Sequence, residues 1–254
     1  LIFLAKNEPG DIAKFLLDFY QSVGQAKWLG MDMAAILKKM PKGLPDSADI
    51  ALFGRMTTSE AFLDIDAAAS VAHAISTHQI ASEYDFYVAE DQLAGGFAML
   101  GDTGFNAPCY YSYAAVSLDQ LANNLDGDPD FAKQVAEAFI AAFSRATPSG
   151  KSHGFAAFAP ADFVLVEVLK SSPVSYANAF QRPVRAQGGE SHLEASVQAL
   201  SAHVEDLTTI YSLKSERAWI ATRAAASDDV KVAGAARKKS LDEMMTWLKE
   251  QIGG

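Results

Sequence analysis

Hydrophobic positions recur at offsets of three and four through the opening segment. Ile12, Phe15, Leu16, Phe19, Tyr20 and Val23 form one stripe, which predicts an amphipathic helix over 9–28. A second short helix is predicted over 31–40, stopped by the cluster Pro41, Gly43 and Pro45. The first 45 residues therefore read as helical. The run DIALFGRM at 49–56 is too short for its period to separate strand from helix. Over 66–80 two patterns compete. The Ala-rich start favours helix, whereas Val71, His73, Ile75 and Thr77 alternate with Ala72, Ala74, Ser76 and His78 as on a strand. The expectation is a helix passing into a strand.

Residues 81–108 mix acids, aromatics and glycines without a sustained period, as a projecting hairpin or a long functional loop would. CYYSYAAVSL at 109–118 predicts a strand, and 130–145 a helix with Phe131, Val135, Phe139 and Ala142 on one face. GFAAF and ADFVLVEVL predict two strands around Pro160, the second apolar enough to be buried on both faces. Residues 175–184 read as irregular or edge strand because Pro183 lacks an N–H. Two further helices are expected at 191–213 and 240–252, the last capped by Ser240 with Glu243 three residues on. The fold class is α+β, with no internal repeat.

Composition narrows the setting. The 254 residues are 50% hydrophobic and 20% charged, which predicts a folded chain. No apolar run approaches the roughly 18 residues of a membrane helix, so no membrane partner is expected. The single Cys109 cannot form an intrachain disulfide or a Cys-rich zinc site, and a cytoplasmic location is the default. The opening LIFLAKNEPG has neither the basic start nor the cleavage site of a signal peptide. It lacks Met and begins within an apolar segment, so a truncated start is expected. Net charge is −10, all of it arising within 51–150. Charge alone argues against nucleic acid, which usually calls for a basic footprint.

Catalytic motifs are not evident in the letters. His73 and His78 are five apart, and no HExxH, phosphate loop or GxSxG elbow occurs. A structural or hydrogen-bonding role suits the histidines better than metal ligation, because an odd spacing on a strand turns them to opposite faces. The acids of 81–130 lack calcium-loop spacing and read as a solvated surface. No cofactor is expected. More informative are Tyr84, Phe86 and Tyr87, aromatic side chains in an acidic, turn-rich segment with no obvious core position. Exposed rings stack on unpaired bases without regard to sequence. The alternative is packing at the base of a loop or a subunit interface.

Three segments carry a family resemblance. They are DIALFGRM at 49–56, DAAASVAHAISTHQIASEYDFYVAEDQL at 66–93, and YSYAAVSLDQLANNL in the Tyr-rich stretch. Together they closely resemble the backbone subunit of the type I-E CRISPR surveillance complex Cascade, the CasC family. KSHGFAAFAPADFVLVEV and PVSYANAF resemble the same family's second half. The resemblance implies a right-hand fold: a modified RNA-recognition-motif (ferredoxin-like) palm, a helical fingers insertion and a β-hairpin thumb. By position, 1–68 would be the end of the fingers, 69–79 a palm strand, 80–109 the thumb, and 110–254 the RRM-like palm with C-terminal helices.

It also implies a function. Copies would stack in a filament along one CRISPR guide RNA (crRNA), beside other Cascade subunits, presenting the guide for pairing with a target DNA strand. Phe86, Tyr87 and Val88 resemble the thumb residues inserted into the base stack, and Met56, after Arg55, resembles the apolar wedge at the same kink. His78, Gln79 and Lys151 complete the implied RNA-binding set; Glu90 is left out because an apolar residue is expected there. The family's N-terminal part, with the first palm strand and much of the basic surface, is expected to be lacking, which would account for the negative charge. No catalytic residue is expected. The competing readings are a metal-assisted endoribonuclease of the same fold family, using Asp85 or Asp91 near His78, and a protein-interaction fragment.

Overall fold

Residues 4–40, 47–58, 62–91, 96–150, 152–227 and 230–253 are described by a computed structural model. In chain order the helices are α1 (Glu8–Val23), α2 (Gln25–Trp28), α3 (Met33–Leu37), α4 (Ala48–Phe53), α5 (Leu118–Asn124), α6 (Pro129–Phe143), α7 (Ser152–Phe155), α8 (His192–Tyr211) and α9 (Leu241–Ile252). The strands are β1 (Ala69–Val71), β2 (Ile75–Ser76), β3 (Glu83–Asp91), β4 (Gly96–Phe105), β5 (Tyr110–Tyr111), β6 (Ala114–Val116), β7 (Phe163–Leu169), β8 (Ser215–Ala221) and β9 (Ala235–Arg237). The result is a mixed helix and strand fold with small sheets. Its backbone forms two compact units that interleave in sequence: Leu1–Val71, Ala114–Pro160 and Met245–Gly254, then Ala72–Tyr113 and Ala161–Met244.

The first unit is built around small side chains. Ala51 and Leu52 of α4, Ala69 of β1, Leu121 of α5 and Ala132, Val135 and Ala136 of α6 form one buried cluster. Alanines let these elements approach closely, while Leu121 supplies bulk worth about 1.5–3 kcal/mol. Asn124 ties the same elements by polar bonds. Its amide donates to the carbonyls of Ala51 and Asp66, both at 2.8 Å, and its oxygen accepts from Gln120 at 2.9 Å. Local signals start the helices. Ser117 accepts the Gln120 N–H, and Asp128 accepts those of Asp130 and Phe131 just ahead of Pro129.

The second unit contains the three-stranded sheet β7–β8–β9, in which β8 is antiparallel to β7 and parallel to β9. Trp219 of β8 is buried with Val197, Leu200 and Val204 of α8 and with Tyr176 and Phe180. Arg217 is also interior. Its Nε donates to Glu167 at 2.7 Å, and the Tyr176 hydroxyl donates to the same carboxylate at 2.9 Å. Burial, with the Glu167 carboxylate beside it, pushes the Tyr176 phenol up to about 12. Two further pairings lie in this unit, β2 with β5 and β3 with β4.

Several sequence expectations are corrected. No helix occurs over 66–80, nor a single palm strand over 69–79: two short strands, β1 and β2, lie there in separate sheets. The alanines act through packing, with Ala68 and Ala69 in the core, so tertiary contact overrides helix propensity. The strand expected at 109–118 is split for the same reason, its first part pairing with β2 and its second with β1. GFAAF is not a strand; α7 ends at Phe155 and Ala156 has φ +48°. Three elements, α5, β8 and β9, had no clear sequence signal. In β8 the interior Arg217 interrupts the apolar pattern, because its charge is matched by a residue 50 positions away.

Candidate nucleic-acid interface

Within 81–108, β3 and β4 pair antiparallel, and their register assigns the side chains of 83–89 and 99–105 to two faces. Directly opposed residues share a face, so Tyr84, Phe86 and Val88 lie with Gly104, Asp102 and Leu100. The other face carries Glu83, Asp85, Tyr87 and Ala89 with Phe105, Thr103, Gly101 and Met99. Phe86 is 74% exposed and Leu100 72%, with Tyr84 and Val88 also exposed, giving an apolar strip open to solvent. Phe86 and Val88 thus lie on one face of the ribbon and Tyr87 on the other. Leu100 and Met99 were missed by sequence reasoning, because their place beside the rings depends on strand register.

Each tyrosine of β3 covers a glycine of β4. A Cβ on Gly101 would sit 2.6 Å from Cζ and Oη of Tyr87, and one on Gly104 would sit 3.2 Å from the Tyr84 ring. The glycines therefore let the rings lie flat across the ribbon, which stiffens two strands that would be marginal alone.

In the first unit, Met56 is 94% exposed while Arg55 before it is buried. Gly54 makes the turn at φ +76°, where a side chain would strike the Ile65 carbonyl at 2.6 Å. Arg55 and Ile65 then exchange backbone hydrogen bonds of 2.9 and 2.8 Å. The Arg55 guanidinium donates to both Glu8 oxygens at 2.8 Å and to the Leu63 carbonyl, with Phe62 5.2 Å from its centre. Expected among the RNA-contacting residues, Arg55 has its side chain turned inward instead, leaving Met56 as the displayed residue of the pair.

His78 is held by its backbone surroundings. Its Nε2 accepts the Cys109 N–H at 3.0 Å, which makes Nδ1 the protonated nitrogen, donating to the Gln79 carbonyl at 2.9 Å. The ring stacks on His192, centroids 4.2 Å apart. Both nitrogens being occupied, His78 offers no lone pair to a metal in this arrangement. Gln79 is exposed beside it, and Lys151 lies outside the described residues. Among the described residues no group of three or more His, Cys, Asp or Glu is placed to hold a metal, and no helix is long and apolar enough to cross a membrane.

Comparison with solved structures defines the class. One chain of a CRISPR RNA-guided surveillance complex, pre-nicking, is similar with a TM-score of 0.69 and 27% identity, covering 85% of this chain and 58% of that one. A chain of a second CRISPR RNA-guided surveillance complex is similar with a TM-score of 0.65 and 28% identity, covering 79% and 78%. This protein thus has the fold of surveillance-complex chains, and it spans little more than half the length of the first. Its residues 1–247 match the CT1975-like protein family, and the chain belongs to that family. No curated protein matches it.

Proposed function

We propose that this chain is a guide-RNA-binding backbone subunit of a type I-E Cascade complex, which holds the guide without cutting it. In this reading the β3–β4 hairpin is the thumb, the sheets with their helices belong to an RRM-like palm, and copies line up along one guide RNA to present it to target DNA. The observation that carries it is the bare apolar strip of Tyr84, Phe86, Val88 and Leu100 on a chain similar to surveillance-complex chains. Rings so displayed replace a stacking neighbour, and the contacts they gain offset the few kcal/mol needed to open a base step. Met56 supplies a second apolar wedge of the same kind.

Reconstitution with guide RNA tests the proposal. Nucleotides should be protected at regular intervals and remain uncut in Mg²⁺. Periodic protection that survives replacement of both Phe86 and Tyr87 by Ala would remove the thumb assignment. Mg²⁺-dependent cleavage abolished by Asp91→Ala would instead establish the ribonuclease reading.

A further inference from the structure

We infer that Arg55 is the positioning residue for Met56, acting through its buried ion pair with Glu8; the inference rests on reading Met56 as a wedge between bases. Arg55 and Glu8 are 47 positions apart, and their side chains are only 2% and 12% exposed. Such a pair adds little net stability, because desolvation opposes the attraction, whereas its directional bonds select one geometry. Here the selection is tight. Two bonds reach the Glu8 carboxylate, while Nε and the other terminal nitrogen both reach the Leu63 carbonyl at 3.3 Å. A planar fork satisfied on two sides cannot rotate without losing bonds on both, which a lysine's point charge would not enforce.

The consequence falls on the next residue. With the Arg55 side chain anchored inward and its backbone paired both ways to Ile65, the Cα–Cβ direction at Met56 is set outward. Thr57 closes the far side, its N–H donating to Asp64 at 2.7 Å. A thioether needs such support. Its three rotatable bonds make methionine adaptable, so an apolar wedge of this type holds bases apart only when its backbone stays fixed. Glu8 is itself fixed by the Ala5 N–H at 2.6 Å, so the brace extends to the start of α1.

The test uses the full chain assembled on guide RNA carrying 2-aminopurine at a displaced position, where unstacking raises emission. Met56→Ala should lose that emission, and Arg55→Met and Glu8→Gln should lose it likewise, with retained periodic protection. The double variant Arg55→Met with Met56→Ala should lose no more than Met56→Ala alone, since both act through one side chain. Full emission in the folded Arg55→Met and Glu8→Gln proteins, with loss in Met56→Ala, overturns the positioning role and leaves the wedge standing. Unchanged emission in Met56→Ala removes the wedge and this inference together. Should Arg55→Met not fold, Glu8→Gln, which keeps the shape but removes the charge and turns one acceptor oxygen into an N–H donor, decides alone.

Discussion

The ring of Tyr87 lies across Gly101, its directly opposed partner on the neighbouring strand, so closely that a methyl group there would touch Cζ and Oη at 2.6 Å. Gly101→Ala should displace the ring. Because the clash is with the far end of an exposed side chain, overall stability should change by only about 0.5 kcal/mol. The Gly101 Hα protons should show a ring-current shift in NMR spectra that Tyr87→Ala abolishes. Ordinary Hα positions in the parent protein would show that the ring does not lie there.

Register separates the two neighbouring aromatics. Phe86 shares its face with Tyr84, Val88, Leu100 and Asp102, whereas Tyr87 shares the other with Asp85, Ala89, Met99, Thr103 and Phe105. Phe86→Ala should therefore weaken guide RNA binding by about 1–3 kcal/mol for each base stacked, and Tyr87→Ala by clearly less. Titration by filter binding at fixed salt measures both. Equal losses would mean that the hairpin meets RNA through both faces.

Arg217 and Glu167 form the second unit's interior ion pair, with side chains 2% and 9% exposed. Arg217→Met leaves the carboxylate buried with only Tyr176 as partner, and should cost about 3–5 kcal/mol in urea unfolding. Adding Glu167→Gln should recover much of that loss by removing the stranded charge. No recovery would indicate that the carboxylate is reached by solvent.

At the start of α8, Ser191 and Glu194 cap each other: the Glu194 N–H donates to the serine hydroxyl, and the carboxylate accepts the Ser191 N–H at 2.9 Å. Bonds from the Ser191 N–H, then from its hydroxyl, hold the Glu194 carboxyl below its ordinary 4.5. A depressed folded value means that the cap's contribution is in place above 4.5 and is lost as pH falls through the lower folded value. The Ser191 amide resonance should thus titrate with a midpoint under 4.5, and Glu194→Gln should flatten it. A midpoint at or above 4.5 would contradict the cap.

Local order was legible where one element could be decided by its own residues. The stripe from Ile12 to Val23 became α1, the cap Ser240 with Glu243 opened α9, and the acidic, glycine-bearing stretch at 81–108 supplied the paired strands β3 and β4. These follow from side-chain period and capping chemistry, which act over a few residues. The resemblance likewise rests on letters in order, and it points to Met56 and the Phe86 region.

Only the tertiary structure decided which of those side chains reach solvent. Arg55 and Met56 are adjacent in the chain, yet one is locked to Glu8 and the other stands bare, because a partner 47 positions away determines the guanidinium's direction. Phe86 and Tyr87 are likewise neighbours parted onto opposite faces by the pleat, and β4 sets Asp102 opposite one and Gly101 opposite the other. Ala68 and Ala69 carry the same lesson: their helix propensity, well under 1 kcal/mol per residue, yields to burial in a core assembled from distant helices. Pairing across long separations in sequence is a property of the folded chain, and no local period encodes it.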